Sequence, residues 1–191
     1  VNIGTPPSSA GVPPGAVAED RLSEQLAAVV AAARRRASRG GDREVDTAHL
    51  LHSLLEEDPA VRDLLGGGGP RTAKLLAYLA QRSIGYGLRW RYAVEETPAC
   101  ADTGGADTGR ADTGGRAGAG PPHGWSPAAA RAMEVALERV AARGAVRAEG
   151  ADLLAGLAAD PDCRAAEVLG RIGVDVRGLT GAPAALPAAP S

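Results

Sequence analysis

The chain has 191 residues, a formal net charge of −2, 3% aromatics and no Phe. The length suits one domain with tails, the charge gives no field to draw in nucleic acid or an anionic membrane, and no stretch approaches the roughly 18 apolar residues of a membrane span. A hydrophobic content of 45% without Phe requires a core of Leu, Val, Ile and Ala; these pack helix on helix, and Ala is the best helix former, so the composition predicts an all-α fold.

Residues 1–18 are rich in Pro, Gly, Ser and Ala, with neither a basic n-region nor an apolar h-region, so a disordered tail rather than a signal peptide is expected. Ser23 is an N-cap residue, and Leu26, Val29, Val30, Ala33 and Ala37 follow at helical spacing until Gly40 and Gly41 stop the helix. Asp46 or Thr47 caps a second helix carrying Leu50, Leu51, Leu54 and Leu55. Asp58-Pro59 breaks it, and Pro59 opens a short third helix through Val61, Leu64 and Leu65, stopped by the glycines at 66–69. A fourth helix over 71–81 aligns Leu75, Leu76 and Leu79. The stretch 84–94 either extends that helix or crosses to the second half.

Residues 97–123 contain the tandem Ala-Asp-Thr-Gly-Gly, Ala-Asp-Thr-Gly-Arg, Ala-Asp-Thr-Gly-Gly. No hydrophobe in that repeat exceeds Ala, so it cannot bury enough apolar area to offset its ordering entropy and reads as a Gly-rich, disordered insertion. It lacks the alternating acids and terminal Glu of a calcium loop. The plan then repeats: Ser126 caps a helix with Pro127 at its first position, Gly144 closes it, Leu153 and Leu154 mark the next helix, Asp160-Pro161 breaks the chain, and Ala165, Val168 and Leu169 line another before a last short helix. Ser23 to Ser126, Leu50 to Leu153 and Leu51 to Leu154 are the same interval, so the halves form an internal repeat. Each is too small to close a core alone, and the two are expected to pack as a pseudo-symmetric pair. The resulting division is a tail over 1–19, a first repeat over 20–96, a linker over 97–123, a second repeat over 124–180 and a tail over 181–191.

The segments Val45-Asp46-Thr47-Ala48-His49-Leu50-Leu51 and Gly150-Ala151-Asp152-Leu153-Leu154-Ala155-Gly156-Leu157, with Ala165-Ala166-Glu167-Val168-Leu169 and Gly173-Val174-Asp175, resemble the Clp R repeat of the Clp chaperone family. The resemblance implies two four-helix repeats, the architecture of the domain that sits before the ATPase rings of an unfoldase and receives substrates and adaptors. In some members this domain binds phosphorylated arginine through a glutamate in each repeat and a hydroxyl at the first helix cap. Carried over, the glutamates fall on Ala48 and Ala151, so both carboxylates are missing, while Ser23 and Ser126 keep the hydroxyl. A methyl group cannot accept the charge-assisted bonds of a guanidinium, and phosphoarginine recognition is therefore in doubt. The resemblance places Leu22 and Trp125 beside the caps, at a surface where cyclic peptides bind some members.

Other chemistry finds little support. Residues 66–75 miss the Gly before and the Ser/Thr after the Lys of a phosphate loop. Asp46, His49 and His52 fall on one helical face with no fourth metal ligand in view; the reading preferred is a locally bonded cap His49 and an exposed His52. Cys163 near a helix start is a structural thiol or, less simply, a nucleophile, and two cysteines without an obvious pairing fit a reduced cytosolic protein. Arg34, Arg35 and Arg36 read as a solvated helix end. Tyr86, Trp90 and Tyr92, interleaved with Arg89 and Arg91, suit a hot spot for a protein partner better than stacking on single-stranded nucleic acid.

The expectation is thus a cytoplasmic, non-catalytic module without cofactor or metal. It binds a protein or peptide, with Clp ATPase or protease components and their substrates in view, and neither nucleic acid nor membrane. The partner residues are Leu22, Ser23, Ala48, Trp125, Ser126 and Ala151, with Tyr86, Trp90 and Tyr92 as a second patch. The alternatives are a regulator that captures a cyclic-peptide natural product and an enzyme of unassigned chemistry.

Overall fold

The computed structural model describes residues 19–66, 69–81, 95 and 124–181. The expectations for the two tails, for the 97–123 linker and for Tyr86, Trp90 and Tyr92 lie outside these residues.

Helix α1 (Glu24–Gly40) starts where Ser23 Oγ accepts the Leu26 N–H at 3.1 Å, filling one of the bonds a helix start leaves open. It ends at Gly41, whose φ of 72° is left-handed and costs glycine little. Strand β1 (Glu44–Val45) leads into α2 (Thr47–Glu57), capped by Asp46, whose Oδ1 accepts the His49 N–H at 2.8 Å. Asp58 then caps α3 (Pro59–Leu64) through the Ala60 and Val61 N–H groups, and α4 (Pro70–Gln81) is the last described helix of the first half. The second half runs β2 (Gly124–Trp125), α5 (Pro127–Ala142) capped by Ser126, α6 (Gly150–Ala159), α7 (Arg164–Arg171) and α8 (Val176–Gly181). All-α holds, with four α-helices in each half among the described residues.

The matching breaks hold: Asp58 and Asp160 each end the helix before them, at φ −110° and −104°. The helix that follows differs: α7 begins later, at Arg164, with Cys163 as its N-cap, while Asp160 Oδ1 accepts the Asp162 N–H in the preceding turn. The loop is longer in the second half, so the acid no longer reaches the helix start.

A single core joins the halves. Leu26, Val29, Leu50, Leu51, Leu54 and Leu55 pack with Met133, Leu153, Leu154, Leu157, Val168 and Leu169. Helix α2 packs on α5, α6 and α7, so its leucines are shared property. Each such side chain, fully removed from water, contributes about 1.5–3 kcal/mol before entropy is counted.

The patterning does not foresee a reciprocal backbone seam. β1 pairs in parallel with β2, placing Val45 opposite Trp125, and Ser126 N–H donates to Val45 O at 2.9 Å. Leu22 bridges Ala148 in the same sense, and Ser23 N–H donates to Ala148 O at 2.9 Å. The two contacts exchange under the repeat: the residue before each half's first cap pairs with the residue before the other half's second-helix cap.

Candidate cap-seam site

The seam assembles the site. Because β2 lies on β1, the cap residue Ser126 of the second half sits beside the start of α2 in the first half, the segment that holds Ala48. The start of α7 closes the third side: Ala165 N–H donates to Thr47 Oγ1 at 3.1 Å. Into this cradle comes Glu95, only 6% exposed. Its Oε2 accepts the Thr47 N–H at 2.8 Å and the Ser126 hydroxyl at 2.9 Å. Its Oε1 accepts the Arg164 N–H at 2.7 Å and the Thr47 hydroxyl. Two backbone N–H groups at helix starts and two hydroxyls therefore converge on one carboxylate, where the helix dipoles favour negative charge.

A buried ion network adjoins the cradle. The Arg164 guanidinium donates to Asp46 Oδ2 at 2.5 Å, tying α7 to the cap of α2. His49 lies between Asp42 Oδ2 at 3.2 Å and Asp46 Oδ1 at 2.7 Å. A ring protonated on both nitrogens donates to both carboxylates; a neutral ring instead accepts the Asp46 N–H at 3.2 Å. The charged form prevails: burial works against it, but the bonds to Asp42 and Asp46 outweigh burial and raise His49 to about 9. Burial likewise opposes ionisation of Asp46, and His49 and Arg164 overcome it, holding that carboxyl at about 2. The expected local bonding of His49 is met. His52 corrects the other half of that expectation: it is 5% exposed, not solvent-facing, and burial together with the Arg36 charge lowers it to about 4. The apolar packing around Leu51 and Leu55 turns that face of α2 inward.

The remaining predicted residues divide. Ser23 is half-buried and capping, and Ala48 and Ala151 are half-buried at the two second-helix starts, where the methyl groups offer no acceptor. Trp125 is half-buried, with the Arg34 guanidinium 5.7 Å from its ring centroid, a contact worth about 0.5–1 kcal/mol at an exposed site. Leu22 is 3% exposed and belongs to the core, and Ser126 is buried under Glu95, so neither side chain meets a partner as the seam stands. Cys163 Sγ accepts the Ala166 N–H at 3.4 Å and faces Leu157 O at 3.2 Å. Burial pushes this thiol up to about 11, so it is neutral at pH 7. Among the described residues no group of three or more His, Cys, Asp and Glu could hold a metal ion, and no helix is long and apolar enough to cross a membrane.

Sequence reasoning missed Glu95 and the pair formed by Asp152 with Arg143. For Asp152 a signal existed, since it occupies the third helical position where a capping-box acid belongs. Glu95 offered none, because its partners lie 31, 48 and 69 residues away.

No family model matches the chain. A stretch of 69 residues, 36% of the chain, is 44% identical to the chaperone protein ClpB of Propionibacterium freudenreichii subsp. shermanii, and spans only 8% of that chaperone. Among solved structures, the N-terminal domain of the Clp-protease-associated chaperone ClpD from Arabidopsis thaliana superposes with a TM-score of 0.55 at 23% identity, covering 87% of this chain and 94% of that one. A chain solved in preliminary structural investigations of a malarial protein secretion system also gives 0.55, at 13% identity, covering 84% and 90%. The chain thus has the fold of the ClpD N-terminal domain, and over 69 residues its sequence is similar to ClpB.

Proposed function

We propose that this domain is a non-catalytic protein- or peptide-binding module acting in Clp-dependent proteolysis in the cytoplasm, as an adaptor, a decoy or a sequestering partner. The observation that carries the reading is the two-repeat fold shared with the ClpD N-terminal domain over 87% of the chain. Fold alone does not assign function, so the site matters as well. The positions that carry glutamates in the Clp R family are Ala48 and Ala151, and the cap seam is filled from within by Glu95. These features favour recognition of a polypeptide over recognition of a guanidinium. The test is affinity capture with the tagged chain from its native host. Specific recovery of a Clp ATPase or protease subunit, or of a proteolysis substrate, is expected; recovery of neither would remove most of the support.

One observation favours a second reading, capture of a cyclic-peptide natural product. Trp125 presents a partly exposed indole at the seam under a guanidinium, an arrangement suited to an apolar ligand with polar backbone groups. Such a peptide should raise the melting temperature of the wild-type chain, and Trp125→Ala should abolish the rise.

A further inference from the structure

The cradle at the cap seam has the composition of a carboxylate receptor. All four groups that meet Glu95 are donors, two for each oxygen. Among the described residues no cationic side chain is seen to bond Glu95, and the nearby Arg164 guanidinium donates to Asp46. A group with two oxygens and one negative charge saturates that set; a phosphate dianion would bring a third oxygen and a second charge with nothing to meet them.

The repeat supplies an independent observation. The corresponding cradle in the other half is formed by the start of α6 at Gly150 and the start of α3, and it also holds a carboxylate. Asp58 Oδ1 accepts the N–H groups of Ala60 and Val61, and its Oδ2 lies so close to Gly150 that a Cβ there would fall 2.0 Å from it. There the acid is the helix cap itself and cannot leave without undoing α3. In the second half the cap is Cys163, and the acid comes from Glu95, which lies on none of the three elements that form the cradle. The fold thus places a carboxylate at both equivalent points, and only Glu95 comes from outside the elements that form its cradle.

We propose that the Thr47–Ser126–Arg164 cradle is a carboxylate-binding site that Glu95 occupies from within the chain, and that an acidic side chain or C-terminus of a partner polypeptide competes with Glu95 for it. Glu95 is then an autoinhibitory ligand. The competition rests on the partner-binding reading above; the cradle's preference for carboxylate does not, and it can be established even where no Clp component is captured.

The full-length chain carrying Glu95→Ala is heated in sodium acetate, sodium phosphate and sodium chloride at matched ionic strength, so that general screening cancels. Acetate at about 100 mM should raise its unfolding midpoint by about 5 °C over chloride, and phosphate by less than half as much. Wild type should respond to acetate no more than to chloride, and Ser126→Ala added to Glu95→Ala should remove most of the response. Should Glu95→Ala be unfolded in chloride, recovery of its helical circular dichroism in acetate supports the site, and failure to recover overturns it. Equal midpoints in acetate and chloride, or an equal gain in wild type, also overturn it. A short glutamate-rich peptide, followed by fluorescence polarisation, should bind Glu95→Ala at least about tenfold more tightly than wild type, a difference of about 1.4 kcal/mol. An acetate response without that gain would leave Glu95 a structural staple and overturn the competition.

Discussion

At the third residue of its second helix the first half places His49, and the second half, at the equivalent point, places Asp152. His49 is held between Asp42 and Asp46. Asp152 is fully buried, bonded to Arg143 through both oxygens, with the Arg139 Nε 3.9 Å away. A cation between anions in one half thus faces an anion between cations in the other. The helix start requires a polar group that closes its first turn; the sign of that group is left to its neighbours. The next contrast lies in helix spacing. A Cβ on Gly156 would fall 2.1 Å from the Ala132 carbonyl oxygen, so α5 and α6 approach as only glycine allows. The equivalent residues of α1 and α2 are Val29 and Ser53, both fully buried, which demand a wider separation.

Gly156→Ala breaks this comparison hardest. The methyl group meets backbone, which cannot swing aside, so a loss of about 3 kcal/mol or more is expected in urea denaturation. Next comes the pH dependence of stability. His49 is raised in the folded chain, so its contribution is complete below pH 6.5 and is lost as the pH rises through about 9; a shift of that size is worth about 3 kcal/mol. His52 is depressed, so stability falls as the pH drops from 6.5 through about 4, and Asp46 adds a further loss from 3.8 through about 2. Stability should peak near pH 6.5; His49→Gln should flatten the alkaline limb and His52→Gln the limb between pH 6.5 and 4. An alkaline limb unchanged in His49→Gln would refute the paired-carboxylate account.

In the second half, Asp152→Asn keeps the shape and removes the charge between the two arginines. A loss of about 2 kcal/mol is expected, moderated because both arginines still reach solvent. The smallest effect is at Ser53, whose buried hydroxyl has no hydrogen-bond partner among the described residues. Ser53→Ala should change stability by less than about 1 kcal/mol, in the stabilising direction.

The elements that local chemistry governs were readable from the residues. Ser23, Ser126 and Asp46 cap helices because a short side-chain oxygen reaches the third N–H, and Gly41 stops one because it turns left-handed. The repeat interval fixed which leucines share the core. What stayed hidden depends on contacts across the chain. The burial of His52 follows from how α2 lies in the molecule, and its own spacing says nothing of it. The cradle needs Thr47, Glu95, Ser126 and Arg164 together, and no short window contains two of them. Ala48 and Ala151 were placed correctly at the helix starts, but the acid beside each start comes from elsewhere: Glu95 in one case, Asp58 in the other.

The exchange of Val45 with Trp125 and of Leu22 with Ala148 makes each half hold the other's first cap. Each half is therefore expected to need the other in order to fold, and the stretch 97–123 is where the two can be cut apart. Cleaving it should yield fragments that complement each other, with a stability that depends on their concentration. Lengthening it should matter little, at about 0.6 kcal/mol for each doubling. A change in the number of Ala-Asp-Thr-Gly units there is then expected to leave the unfolding midpoint nearly unchanged.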